Sequence, residues 1–342
     1  MTDSTFALGE QRTPVRSHAA VIFNPLNINI VALREAFTRE EKVAGLEPTV
    51  FLPTTAAQDS AFVATQEALA GNPCVIVAVG GDGTIRCIAE ALEGHQLAEG
   101  HHIPVGIVPT GTGNLLARTL HVPLMDMKRA VHVALSGVDR PIDTVVAELG
   151  GEGNTRRHIF LVMAGIGLDA DMAAETDGRL KKCIGWLAYV APIAQSVGRN
   201  RHHEAVVTID DSEKQAISAH TMIVGNCGSL PGNLLLLPEA RIDDGLLDAV
   251  VLRPKGPGGW ARIWSRLAVG GVLHRVKGGS KILRAAPTFQ ALRYAQATTL
   301  TLTLDSPQRI ELDGDSFGQV SSLRVSVVHH GLTVRVPAES VF

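Results

Sequence analysis

Five consecutive residues, Gly80-Gly81-Asp82-Gly83-Thr84, have the types and spacing to hold a phosphate. The apolar run Cys74–Val79 leads into them, and helical sequence follows from Ile85 to Glu93. Three glycines let a backbone turn sharply and let a phosphate come close to it. A helix that starts there aims its free N–H groups and the positive end of its dipole at the turn. Thr84 can cap that helix or offer its hydroxyl to the phosphate. Asp82 is the odd member, since a carboxylate repels phosphate unless a metal or a proton transfer needs it. A plain strand–helix turn would account for the glycines but not for Asp82.

One element later the pattern recurs. Val105–Val108 runs into Pro109-Thr110-Gly111-Thr112-Gly113-Asn114, and Leu115–Leu120 reads as the next helix. Two Gly/Thr loops side by side at one sheet edge make a cradle rich in backbone donors. Neither is a Walker loop, because GxxxxGK[ST] does not occur, and GxGxxG is absent from the first strand–helix turn.

The elements that must position these loops follow from the patterning. Ala19–Phe23, Thr49–Leu52, Cys74–Val79 and Val105–Val108 are short, nearly all-apolar strands. Val31–Ala44, Gln58–Ala70 and Ile85–Glu93 read as the helices between them. Such alternation implies a parallel sheet covered on both faces, with ligands beyond the carboxyl ends of its strands. After about Asp139 the texture becomes strand-rich, with segments such as Val145–Leu149, Ala205–Ile209, Leu246–Leu252, Thr299–Leu304 and Ser322–Val328. A second, mostly antiparallel part is expected there, interrupted by helical insertions near Arg179–Val197 and Pro257–Val276. The expected division is 1–137 for the nucleotide-binding half and 138–328 for the β-rich half, with 329–342 returning to the first.

A chain of 342 residues suits two cores better than one. Its 45% hydrophobic and 19% charged content describes a well-buried globular protein. Mean hydropathy is slightly positive, yet no apolar run approaches the roughly 18–20 residues of a spanning helix. Met1–Ser17 is polar and lacks an apolar signal core, so a cytoplasmic location is expected. The four cysteines form no CxxC pair and read as free thiols. A net charge of −3 argues against general nucleic-acid binding.

Taken together, Val77–Ile85 (VAVGGDGTI) and Gly106–Arg118 (GIVPTGTGNLLAR) resemble the diacylglycerol kinase catalytic-domain family, which includes bacterial lipid kinases and sphingosine kinases. Further matches follow in order: Asn24-Pro25, Gly165–Ala170, Ala240–Asp248 and Leu312–Asp315. The resemblance covers about residues 19–340 and implies an N-terminal Rossmann-like parallel α/β sheet with a C-terminal antiparallel β-rich sandwich. It implies an ATP-dependent kinase acting on a lipid hydroxyl, with diacylglycerol as the leading acceptor. An NAD kinase-like phosphotransferase, which shares GGDGT, and an inactive nucleotide- or lipid-binding homologue are the alternatives.

By that similarity ATP meets Gly80, Gly81, Asp82, Gly83, Thr84, Ile85, Arg86 and Thr112, with Thr54 or its neighbour Thr55 as a further contact. Asp82 lies near the transferred phosphate, through magnesium or by orienting the acceptor. Asp315 stands where the family places the Glu of an Asp-Gly-Glu motif as general base, one methylene shorter. The same Asp313-Gly314-Asp315 also reads as a simple hairpin turn. A magnesium site falls on the carbonyls of Arg241 and Leu246 and the side chain of Asp244, a segment that equally suits an Asp-Gly turn. The chain departs from the pattern at Leu26-Asn27, at Leu115, and at Arg86, which replaces a frequent Asn.

One further segment is uneven in charge. Arg253 to Arg293 carries nine basic residues and no Asp or Glu. Helical spacing there puts Trp260, Ile263, Trp264 and Leu267 on one stripe opposite Arg262 and Arg266, and Arg179–Tyr189 is a second candidate. Such helices can rest on an anionic membrane surface or bury their tryptophans in the core. The histidine pairs show no metal-ligand spacing and read as surface residues. A homodimer is compatible with the sequence.

Overall fold

The computed structural model describes residues 18–55, 57, 59–99, 102–151, 153–167, 203–230, 234–253, 265 and 292–340. Both basic Trp-bearing segments lie essentially outside the described residues.

The first half alternates strand and helix: β1 (His18–Phe23), α1 (Ile30–Ala44), β2 (Glu47–Pro53), α2 (Ser60–Leu69), β3 (Val75–Gly80), α3 (Asp82–Glu99) and β4 (Val105–Pro109). Two helices follow, α4 (Leu115–Thr119) and α5 (Met127–Ser136). β2, β1, β3 and β4 pair in that order, all parallel. Their unbroken apolar character has a direct cause, because alternate residues feed two different cores. Ala20 and Ile22 of β1 and Ile76 and Ala78 of β3 meet α2, α3 and α4 on one face. Ala19, Val21 and Phe23 with Val75, Val77 and Val79 meet α1 and α5 on the other.

Local signals set the helix ends. Asn29 accepts from the amides of Val31 and Ala32 at the start of α1, and Gly45 closes it in the left-handed region at φ 68°. Asp126 accepts from the amide of Arg129 at the start of α5. That helix, rich in small apolar residues and ended by Gly137, is absent from the pattern-based reading.

The second half is strand-rich: β5 (Val138–Gly151), β6 (Asn154–Phe160), β7 (Met163–Ile166), β8 (His203–Ile209), β9 (Gln215–Ala219) and β10 (Thr221–Gly225). It continues with the short pair β11 (Ser229–Leu230) and β12 (Leu234–Leu235), then β13 (Leu247–Leu252), β14 (Leu292–Ala297), β15 (Thr299–Leu312) and β16 (Asp315–Val336). These strands pair antiparallel around a third core that includes Val145, Phe160, Leu302, Leu312 and Leu323. The expected combination of a parallel α/β sheet with an antiparallel β-rich part is therefore the observed fold.

Among the described residues the two parts share one 14-stranded sheet. β16 joins them, because it pairs antiparallel with β15 and β5 and then brings Val334 alongside Val105 of β4 in parallel. The late strands are far longer than their apolar runs suggest. β15 and β16 extend through polar stretches and past register shifts at Thr303/Gln308 and Arg309/Glu311.

Candidate active site

The four parallel strands end together, so the loops that follow them share one edge. β3 ends at Gly80 and α3 starts at Asp82, leaving Gly81 alone to make the turn. The sequence reading began this helix at Ile85, since glycine at position 83 is a poor helix former. The amides of Thr84 and Ile85 already bond the Gly81 carbonyl, at 3.1 and 3.3 Å. Ile85 itself is buried in the core beneath the turn.

The second loop lies against the first. The amide of Thr110 donates to the Gly80 carbonyl at 3.0 Å. A Cβ on Gly111 would fall 2.6 Å from the Cα of Gly81, so the two main chains touch. Thr112 is exposed on this loop. Thr54, just past β2, donates its amide and its hydroxyl to the Phe23 carbonyl, at 2.8 and 3.3 Å.

Asp82 has a physical explanation in this geometry. Its Oδ2 accepts the amide of Leu115 at 2.9 Å and its Oδ1 that of Leu116 at 3.0 Å. It thus caps α4 from another helix, a task usually done by the preceding residue. Asn114, the residue before α4, sits in the left-handed region at φ 48° and folds back to bond the Gly111 amide and carbonyl, at 3.1 and 2.7 Å. Burial raises the pKa of Asp82, against the pull of the Leu115 and Leu116 amides and the charge of Arg118.

The third component arrives from the far end of the chain. β15 and β16 are joined by a tight turn with Asp313 at φ 50° and Gly314 at φ 89°, the two positive values that a type I′ hairpin requires. The hairpin reading of this motif therefore holds, and it is compatible with a chemical role. The Asp313 carboxylate accepts three amides, from Leu161 at 2.8 Å, Val162 at 2.9 Å and Met163 at 3.0 Å. Its own amide donates to Met163 at 2.9 Å, so the turn is locked onto the β6–β7 junction. Burial pushes this carboxyl up to about 7, opposed by the three amides.

Locking the turn fixes where Asp315 emerges. A Cβ on Gly83 would fall 2.5 Å from Asp315 Oδ2, so that carboxylate rests on the first turn of α3. Arg86 Nη2 lies 3.2 Å from the same oxygen. The Arg86 guanidinium is buried, and both of its terminal nitrogens are held by protein. Its Nη1 meets Glu90 at 3.1 Å, and its Cζ lies 4.8 Å from the centre of the Phe317 ring.

The Arg241–Leu246 segment packs at the opposite end of β5. Asp244 Oδ1 accepts the Leu246 amide at 3.1 Å, and Arg241 is exposed. A fully buried Asp143 holds this loop, accepting the Gly245 amide on Oδ2 at 2.6 Å. Its Oδ1 lies 2.8 Å from His329 Nδ1 and accepts the His330 amide at 2.8 Å. Among the described residues, Asp143, His329 and His330 have the composition of a metal cage. The two imidazoles stack at 3.7 Å and 27°, however, and both Asp143 oxygens already hold backbone donors. The group acts as a clamp on the loop.

Next to this loop, Asp248 is pushed up to about 6, first by burial and further by Asp244 and Glu239, against a hydrogen bond from Gln296. Crowded carboxylates of this kind are the donor chemistry of a hard divalent cation such as magnesium.

The structure thus brings Gly80–Thr84, the Gly111 loop and Asp315 together, and sets Arg241, Asp244 and Leu246 apart in their own loop. Sequence reasoning missed Asp143, Asn114 and the structural task of Asp313. Gly245 at φ 76° beside its two aspartates is the one local hint of a constrained loop.

Comparison with known proteins gives the same outline. The model of the diacylglycerol kinase catalytic domain matches residues 18–147, and that of the YegS C-terminal NAD kinase beta sandwich-like domain matches 162–336. The diacylglycerol kinase of Bacillus subtilis (strain 168) is 26% identical over 324 residues, spanning 94% of this chain and 97% of that protein. A protein of Xanthomonas campestris pv. campestris (strain 8004) named "Probable lipid kinase YegS-like" is 31% identical over 292 residues, 84% of this chain and 89% of its own. The crystal structure of a diacylglycerol kinase from Bacillus anthracis str. Sterne superposes with a TM-score of 0.70 at 20% identity, covering 96% of this chain and 100% of that one.

Proposed function

Because the chain belongs to the diacylglycerol kinase catalytic-domain family and is a lipid kinase, we propose that it transfers the γ-phosphoryl group of ATP to the free hydroxyl of diacylglycerol, with Asp315 as general base. The observation that carries this reading is the contact of the Asp315 carboxylate with Gly83 in the phosphate loop.

Phosphoryl transfer runs through a loose transition state, so catalysis is mainly positioning and charge stabilisation. The amides of Gly81 and Gly83 at the start of α3 and that of Thr112 hold the phosphates, those of Thr84, Thr110 and Gly111 being taken up by the loops themselves, with Thr54 at the nucleotide's rim. Asp82 keeps the two loops at a fixed separation, and its carboxylate would lie close to a magnesium ion carried by the nucleotide. The lipid hydroxyl is a weak nucleophile, and Asp315 accepts its proton as the new P–O bond forms and the bond to the ADP oxygen breaks. Such general-base help contributes about 10²–10⁴-fold. Magnesium, where bound, neutralises charge on the phosphates. Asp244 with the carbonyls of Arg241 and Leu246 would hold a separate structural ion. Since the acceptor resides in a bilayer, contact with an anionic membrane surface is part of the reading. Among the described residues no helix is long and apolar enough to cross a membrane.

The test is purified protein with radiolabelled ATP and magnesium against diacylglycerol, a sphingoid base, other lipid alcohols and NAD. Labelled phosphatidic acid is the expected product. Label on NAD and on no lipid would overturn the reading.

A further inference from the structure

Arg86 lies in the phosphate loop's own helix, yet its charge is turned into the protein. Its side chain is 3% exposed, whereas that of its partner Asp315 is 43% exposed. The guanidinium is held from several directions. Glu90 takes Nη1 at 3.1 Å, Cys87 Sγ lies 3.4 Å from Nη2, and the Phe317 ring faces Cζ at 4.8 Å. The clamp is itself clamped. His158 Nδ1 lies 3.0 Å from the other Glu90 oxygen, and its ring packs 4.6 Å from that of Phe317. Arg156 bonds the Phe317 carbonyl at 2.8 Å.

A cation held this way cannot swing out to a nucleotide without leaving a desolvated aromatic and acidic pocket. Its Nε is also buried without a hydrogen-bond partner, a cost of about 1–3 kcal/mol. What remains for the fork to do is on its open side, where Nη2 meets Asp315 Oδ2 at 3.2 Å across 229 residues of sequence. An aspartate at the first position of a strand has several rotamers open to it. The bare surface of Gly83 and the fixed Arg86 select one.

We propose that Arg86 is a positioning residue for phosphoryl transfer: its immobilised guanidinium sets the Asp315 carboxylate over Gly83, facing the acceptor hydroxyl. The proposal rests on Asp315 being the base. It makes Glu90 and Phe317 the outer supports of that base. It also reassigns Arg86 from nucleotide contact to control of the proton acceptor.

The test is a double-mutant cycle on the full chain, using Arg86→Met, Asp315→Ala and the pair, with kcat and the KM for ATP measured on the accepted lipid. Arg86→Met is expected to lower kcat by about 10- to 100-fold, the usual penalty for a misplaced group, with the KM for ATP changed less than about threefold. In the Asp315→Ala background the same change should cost nothing further. Additive losses, or a raised KM for ATP at unchanged kcat, would overturn the proposal by showing that Arg86 acts independently. Full activity in Asp315→Ala alone would instead sink the general-base reading, and the positioning role with it. If Arg86→Met does not fold, Arg86→Lys and Glu90→Gln replace it. Both keep a residue of similar length, and each should lower kcat several-fold without moving the KM for ATP. A crystal structure of any of these variants with Asp315 still seated on Gly83 would also refute the proposal.

Discussion

At the parallel edge, Gly80–Thr84 and Pro109–Asn114 offer backbone, and their one carboxylate, Asp82, is committed to capping α4. At the β15–β16 turn the materials are reversed. There the backbone is committed to the hairpin, Asp313 is consumed by three amides, and Asp315 is left half-exposed with a single buried cation beside it. On the proposed reading, one region binds by amides and the other reacts by a carboxylate. The division implies that damage to the first appears in nucleotide affinity, and damage to the second in turnover or in the fold that supports it.

The sharpest way to break this comparison is Asp315→Ala. Turnover should fall by about 10²–10⁴-fold while the KM for ATP stays within about threefold. A change confined to KM would put Asp315 on the binding side. Next in size is Asp313→Ala, which strands three amides at the β6–β7 junction. Leaving donors unpaired costs about 1–3 kcal/mol each, so urea denaturation should show a loss of about 3 kcal/mol or more. Wild-type stability in that variant would mean that the turn is held by something else. Gly111→Ala addresses the cradle, since its Cβ would meet Gly81 at 2.6 Å and wedge the loops apart. Isothermal titration should show ATP binding weakened about tenfold, with turnover at saturating ATP little changed.

The smallest effect concerns Asp248, outside both regions. Its carboxyl, at about 6 in the fold, lies above the ~3.9 of an unfolded aspartate. The folded chain therefore keeps the proton longer. The associated stability is full below about pH 4, declines as pH rises through about 6, and levels off above that. Asp248→Asn should flatten the decline in denaturation series across this window, and millimolar magnesium should shrink it in the wild type. An unchanged slope with magnesium would count against a cation at Arg241–Leu246.

The parallel half was largely legible, because its strands are buried on both faces and their apolar runs coincide with the elements. Glycine hid the start of α3. α5 was legible in principle, since Ala130, Val131, Ala134 and Leu135 give it a clear apolar face, and the pattern-based reading passed over it. In the antiparallel half β8 and β13 were found nearly whole, but of β15 and β16 the apolar centres alone stood out, since strands held by long pairing tolerate polar residues at exposed positions. Within the site, Gly80–Thr84 and Asp315 were marked by their types and order. The tasks of Asp82 and Asp143 were not, because each depends on amides or side chains brought near by tertiary folding. The resemblance assigned Arg86 to ATP, and only its burial beside Phe317 reveals the pull toward Asp315.

β16 starts at Asp315, crosses the antiparallel core and finishes beside the strand that feeds the second glycine loop. Melting either half must therefore peel apart hydrogen bonds that the other half shares. The chain should denature in one cooperative step, with the slowest amide exchange along Leu323–Val328 and Leu332–Val336. Cutting the chain within this strand should leave neither fragment able to fold alone.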